Sequence, residues 1–402
     1  MRKLTLSMTL LLAAAALASP ALAQLNCVDD VVQPTIERPR ADHVISYDSA
    51  RQVIVMVGGT GDYEDSQRET WEFDGTRWRF KGFTPFGTRL KAGMVYDAAR
   101  SQTVFFGGAD PADPQPGTAY THRGDTWSWN GSTWTQRATT GPAGRSDMSI
   151  AYDSQRQRIV MFGGADNVQS MGDTWEWNGT AWSLRATNGP PADYGTEMVY
   201  DSNRHVCVLM GGSQSMGTTW EWNGSSWIDH PTATNISGRH SHTMCFDPVR
   251  NKVIVYGGQS SLAETWEYDG IDWTLRTQES TPGIRRDSPM AFHVGIGRTV
   301  MFGGLISLHA GGVTWFYDGT AWTLLPESGD YGNLGERAGA CAVQVTSGAG
   351  GQAVLFGGST SDGLSNETWN FLDEYGWIPL RTAPQSTPPA RRLAGLCLEY
   401  FG

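Results

Sequence analysis

The chain has 402 residues, a formal net charge of −11, 49 glycines, 17 tryptophans and 18% charged residues. An acidic balance of that size argues against nucleic acid or an anionic membrane surface as partner. Short strands, tight turns and aromatic cores suit the composition better than long helices do.

In chain order, the first segment reads as an export signal. Arg2 and Lys3 precede a mostly apolar run, Leu4 to Leu17, and Ala21-Leu22-Ala23 offers a small-x-small cleavage site. Cleavage after Ala23 leaves a mature start at Gln24, and residues 24–39 form an N-terminal extension. The run is too short for a comfortable membrane span, and no other stretch approaches the ~20 apolar residues a spanning helix needs. The expected product is exported and not membrane-inserted.

A repeat occupies residues 40–402. Seven glycine pairs, from Gly58-Gly59 to Gly357-Gly358, each close a hydrophobic run, and each is followed by Thr-Trp. A second tryptophan follows seven residues later in six copies and eight residues later in the last. Upstream, Arg40, Arg89, Arg145, Arg239 and Arg285 stand eighteen residues before the first glycine. Asp193 fills that slot in the fourth copy, and Arg337 stands twenty before Gly357, where "SGAGG" lengthens a turn. Eight residues after the slot comes an aspartate, and three further an arginine, in the first five copies.

Each copy predicts four strands. In the third copy these are "RSDMSIAYD", "RIVMFGG", "TWEWN" and "WSLR". The Asp-x-x-Arg turn joins strands one and two, and the Asn-Gly or Asp-Gly turn joins strands three and four. Aspartate can bond its own turn amides and pair with the arginine. The double glycine frees the backbone where a side chain would obstruct a bend or a neighbouring sheet.

This pattern resembles the kelch-repeat β-propeller family, which includes the central domain of galactose oxidases. The glycine pair after a hydrophobic strand, the paired aromatics and a spacing near fifty residues carry the likeness. It implies an all-β fold, a seven-bladed propeller of four-stranded antiparallel blades, whose tryptophans are buried between neighbours. Strand-one candidates number eight, because "RRLAGLCLE" at 391–399 repeats the pattern begun by "RADHVISYD" at 40. Either end can supply the innermost strand of blade one, and an incomplete eighth blade is the alternative.

Antiparallel strands put the one-two and three-four turns on one face and the two-three and blade-to-blade loops on the other. The former hardly vary. The two-three loops run from six residues (213–218, 259–264) to seventeen (109–125). Length variation on one face marks a binding face. The slot arginines Arg40, Arg89, Arg145, Arg285 and Arg337 are either a ring of guanidiniums for a ligand or structural rivets. Asp193, Tyr194 and Glu197 in blade four, with Arg239, His240 and His242 in blade five, offer an acid, a base and an aromatic platform. The alternative is an Asp193–Arg239 ion pair beside solvated histidines.

No catalytic signature is legible, and no cofactor or metal is expected. The 109–125 loop holds acids and His122 but no calcium-loop order. Five cysteines fit no zinc pattern. Cys27 and Cys397 can tie the ends, or each cysteine is a buried apolar residue. The copper constellation of the galactose oxidases does not map onto the chain, nor do sialidase boxes; the resemblance to kelch-type sialic acid epimerases is closer. The expected function is an exported scaffold binding a carbohydrate or a protein, with a sugar epimerase or mutarotase as the alternative, a copper oxidase as a weaker one, and a purely structural role as the last.

Overall fold

The computed structural model describes residues 41–60, 68–73, 78–111, 120–214, 217–234, 236–259, 263–278, 280–286, 288, 290–293, 296–302, 305–306, 309–310, 314–324, 341–345, 352–356, 359–360, 363–364, 368–372 and 376–379. The expected signal segment, Arg40, Arg337, Cys27, Cys397 and the 391–399 strand candidate lie outside them.

Seven four-stranded antiparallel sheets make a seven-bladed β-propeller. No α-helix occurs among the described residues. Blade one is Ala41–Asp48, Val53–Thr60, Glu69–Phe73 and Trp78–Phe83. Blade three is Ser149–Asp153, Arg158–Phe162, Thr174–Trp177 and Trp182–Ala186. Blade four is Thr196–Asp201, Val206–Gly211, Thr219–Trp222 and Trp227–His230. Each blade is one contiguous repeat. The inner strand of blade one comes from the N-terminal copy and neighbours the inner strands Gly93–Asp97 of blade two and Cys341–Val345 of blade seven, which closes the ring.

The repeated tryptophans are the wedges between blades. In blade three, Ile159, Met161, Trp177 and Trp182 pack on Val104 and Phe106 of blade two. In blade four, Cys207, Leu209 and Trp222 pack on Val160 and Phe162 of blade three. Each buried indole removes ~150–250 Å² from water, worth a few kcal/mol at ~25 cal/mol per Å². The indole nitrogens also stitch blades together. On strand four, Trp134 donates to Thr70 at 2.7 Å, Trp182 to Thr126 at 2.7 Å and Trp227 to Thr174 at 2.5 Å, each threonine belonging to the preceding blade. Both the threonine and the later tryptophan of the repeat are thereby explained. Trp222 likewise donates to Glu176 of blade three at 2.8 Å.

The glycine pairs serve the same junction. Both members have positive φ, 68° and 91° at Gly163 and Gly164. A Cβ at Gly163 would stand 2.7 Å from the Asp193 carbonyl oxygen of the next blade. Gly164 N–H donates to that same oxygen at 2.9 Å. A side chain there would push the blades apart.

The two rims differ as their loop lengths predict. On the short-turn rim, Asp153 accepts from Arg156 N at 2.8 Å and Arg156 Nε at 2.6 Å. The Arg156 guanidinium then crosses to the Asn-Gly turn of the next blade, against Gly224. The opposite rim carries the long connections, and in blade two the loop holds a small hairpin, Ala109–Asp110 with Thr121–His122. Cys207 and Cys245 are free and buried.

Candidate functional site

The slot side chains lie beneath the long-loop rim. Arg89, Arg145, Arg239 and Arg285 are all buried. Arg145 makes a two-pronged pair with Asp173, at 2.5 and 3.0 Å, and donates to the Gly163 carbonyl at 3.0 Å. Arg239 donates to Glu264 at 2.8 Å and to the Gly257 carbonyl at 3.1 Å. Arg89 meets Asp110 and Asp125 at 3.3 Å each. Arg285 donates through Nε to the Pro282 carbonyl at 2.8 Å.

The acid belongs to the repeat too. It stands directly before Thr-Trp, as Asp125, Asp173 and Glu264, and it also accepts the indole N–H of that tryptophan, two residues on. Trp127 donates to Asp125 at 2.7 Å, Trp175 to Asp173 at 2.7 Å and Trp266 to Glu264 at 2.9 Å. Burial alone would raise the Asp173 pKa, but hydrogen bonds from Arg145 and Trp175 outweigh it and hold the carboxyl below its ordinary value. Arginine, acid and tryptophan form a clasp between the starts of strands one and three. The side chain rivets within its own blade; the slot's main chain rivets between blades, as Gly108 N–H to Arg145 O at 2.8 Å and Gly212 N–H to Arg239 O at 2.8 Å show.

Blade four has no such clasp. Asp193 occupies the arginine slot and Thr218 the acid position. Asp193 is 0% exposed, so its carboxylate needs donors from the protein. It accepts from Tyr194 N at 2.8 Å, Ser213 Oγ at 2.9 Å and Gln214 N at 3.1 and 3.0 Å. Arg239 is engaged by Glu264 instead, so the expected inter-blade pair is not formed. Among the described residues the Trp220 indole nitrogen is buried without a hydrogen-bond partner, as is that of Trp315 in blade six, where Val313 stands at the acid position.

Two residues past the slot, the chain enters the left-handed region in five consecutive blades: Asp42 (φ 56°), Lys91 (50°), Asp147 (53°), Gly195 (65°) and Ser241 (55°). This kink is why most inner strands start later than the slot, at Gly93, Ser149, Thr196 and Thr243. It also links blades around the channel mouth. Lys91 N donates to Asp42 O at 3.1 Å, Asp147 N to Lys91 O at 3.1 Å and Gly195 N to Asp147 O at 3.2 Å. For lysine and serine the conformation costs ~1–2 kcal/mol, and residues so held cluster at ligand sites.

Above this belt lies an open cleft of about 740 Å³. Asp42, Lys91, Asp147 and Tyr194 line it from four successive blades, with Tyr120 and His122 of the blade-two loop and residues 165–170 of the blade-three loop. Gln214 completes the blade-four wall. Lys91 Nζ meets Asp147 Oδ1 at 3.1 Å. Asn167 donates to the Tyr120 carbonyl at 2.8 Å, joining the two loops. Tyr120 and Tyr194 are 39% and 40% exposed. Burial lowers the His122 pKa against the pull of Asp166 and Asp147.

Of the other sequence candidates, His240 is half-buried and His242 is buried. Burial, with Arg239 and His240 nearby, pushes the His242 pKa down to about 3, and neither ring nitrogen makes a well-formed hydrogen bond. Glu197 keeps contact with water on its inner strand, yet protein surrounds it closely enough to push its carboxyl up to about 7. Among the described sequence candidates Tyr194 alone lines the cleft, while Asp193 lies under it. Sequence reading missed Asp42, Lys91, Asp147 and Gln214. Asp42, Lys91 and Asp147 stand two past their slots, where the residue changes from blade to blade as its neighbours do, and Gln214 lies in a variable two-three loop, so no single position marked them.

Fold and site together define a seven-bladed β-propeller with a polar, tyrosine-flanked cleft on its long-loop rim. No family model matches the chain, and no curated protein matches it either.

Proposed function

We propose that this chain is an exported, kelch-type propeller that binds a carbohydrate in the long-loop cleft without transforming it. The carrying observation is the cleft's lining: two half-exposed tyrosine rings beside Asp42, Lys91, Asp147, Asn167 and Gln214. Sugars offer axial C–H faces that stack on aromatic rings and hydroxyls that bridge carboxylates, ammonium groups and amides. A site mixing apolar rings with many hydrogen-bonding groups fits that chemistry better than it fits an apolar peptide segment. Seven copies of the glycine-pair and Thr-Trp pattern support the kelch reading, and Arg2, Lys3 and the Ala21-x-Ala23 site support export.

A glycan array with the wild-type chain tests the reading. Saturable binding to one glycan class, lost in Tyr120→Ala and Tyr194→Ala with unchanged melting, is the expected outcome. Binding that survives both changes contradicts it. A second reading, a sugar epimerase or mutarotase, would use Glu197 as proton carrier: it is exposed on the inner strand of blade four, and the protein around it pushes its carboxyl up. Catalysed anomer or epimer exchange, followed by NMR and abolished in Glu197→Gln, would favour it.

A further inference from the structure

Blade four departs from the repeat at two positions together. Arginine becomes Asp193 and the acid becomes Thr218. In blade six the acid alone is lost, to Val313, and the buried Arg285 turns to the Pro282 carbonyl. In blade four an aspartate in the slot would face a second carboxylate if the acid were kept, so the two positions change together. Both together remove the clasp without stranding anything except one indole N–H, that of Trp220.

The released aspartate gathers a different set of groups. Asp193 accepts main-chain donors from Tyr194 and Gln214 and the hydroxyl of Ser213, and Ser213 N donates to the Tyr194 carbonyl at 3.1 Å. These bonds lock residues 193–194 to 213–214. The outer members of that lock, Tyr194 and Gln214, are the residues blade four contributes to the cleft. In blades three and five the slot side chain reaches instead to the start of strand three, at Asp173 and Glu264. A guanidinium in place of Asp193 has no acceptor for the Tyr194 and Gln214 amides, since it only donates.

We propose, resting on the carbohydrate reading above, that blade four was released from the clasp to build a sugar subsite. Asp193 is a positioning residue: it holds Tyr194 as the stacking face and Gln214 as the hydrogen-bonding group for one pyranose ring. The subsite favours an uncharged hexose, stacking through its C–H face and bonding through hydroxyl or acetamido groups.

The test restores the repeat. Asp193→Arg combined with Thr218→Asp rebuilds the clasp, and Asp193→Asn keeps one acceptor oxygen. Each full-length variant is compared with wild type by thermal melting, by hydrogen exchange of the 193–197 and 212–217 segments, and by calorimetry with cellotriose, maltotriose and triacetylchitotriose. The double variant is expected to melt at or above the wild-type temperature. Exchange in the two segments rises about tenfold, and affinity for the best trisaccharide falls tenfold or more. Asp193→Asn stays within about threefold of wild type, a rescue that lost bulk or lost stability would not give. Unchanged exchange in both segments, or wild-type affinity in the double variant, overturns the proposal. If the double variant fails to fold, Asp193→Ala against Asp193→Asn makes the same comparison. If wild type binds none of the three sugars, the carbohydrate reading falls, and the exchange arm alone still decides whether Asp193 positions Tyr194 and Gln214.

Discussion

Blades three and four are neighbours written in almost the same words, DTWEWNGTAW and TTWEWNGSSW, yet they do different things at the long-loop rim. In blade three, Arg145, Asp173 and Trp175 close on one another and leave nothing unpaired among the three. In blade four a buried aspartate turns its oxygens toward the loop that lines the cleft, and an indole is left without an acceptor. The wedges that hold the ring are the same in both. Stability is therefore carried by what the blades share, and the proposed recognition falls where one of them differs.

The largest effect is expected from removing what they share. Trp222→Ala empties the wedge between blades three and four and should cost about 3–5 kcal/mol in denaturant unfolding. Breaking the blade-three clasp with Arg145→Met should cost about 3 kcal/mol, because it leaves Asp173 half-buried without its cation.

Acid sharpens the contrast next. His242 stays neutral in the folded chain down to about pH 3, whereas in the unfolded chain it takes a proton near its ordinary value of 6.5. The unfolded state binds the extra proton, so the contribution of His242 to stability falls as pH drops between those limits. Asp173 adds a loss in the same direction at lower pH, because its folded pKa lies below the ordinary one. Glu197, whose folded carboxyl is pushed up to about 7, contributes with the opposite sign over nearly the same window. A His242→Met variant should therefore gain stability relative to wild type as pH is lowered from 6 to 4, in unfolding free energies measured on both chains.

A smaller difference separates the two indoles. Trp175 donates to a carboxylate and Trp220 donates to nothing. Trp175→Phe should therefore cost about 1–2 kcal/mol more than Trp220→Phe. Equal losses in paired thermal melts would mean that the clasp contributes nothing. Smallest of all, Tyr194→Ala should change stability by under about 0.5 kcal/mol, since the ring is exposed.

Much of this was legible in the order of residues. Glycine pairs, Thr-Trp steps and Asn-Gly turns recur at fixed spacing because every blade solves one packing problem, so strands, wedges and loop rims can all be counted out. The ring's closure was not legible, since residues 40–48 and 391–399 carry the same pattern; it took the contact of Ala41–Asp48 with the blade-seven inner strand to choose. Nor was the burial of the slot arginines. Spacing alone does not say whether Arg145 faces a ligand or the acid that precedes the Thr-Trp step, Asp173. Asp193 was visible as a departure, but its work was not. Its partners Ser213 and Gln214 come from a two-three loop, where sequence differs from blade to blade; the QSMG of 214–217 recurs only at 169–172, beside an arginine slot rather than an aspartate.

The most direct measurement is a hydrogen-exchange footprint of the wild-type chain, with and without the tightest-binding of the three trisaccharides. The account predicts protection confined to the long-loop rim, in segments holding Tyr120 and His122, residues 165–170, Tyr194 and Gln214. Protection on the opposite rim, around the Asp-x-x-Arg and Asn-Gly turns, would contradict it.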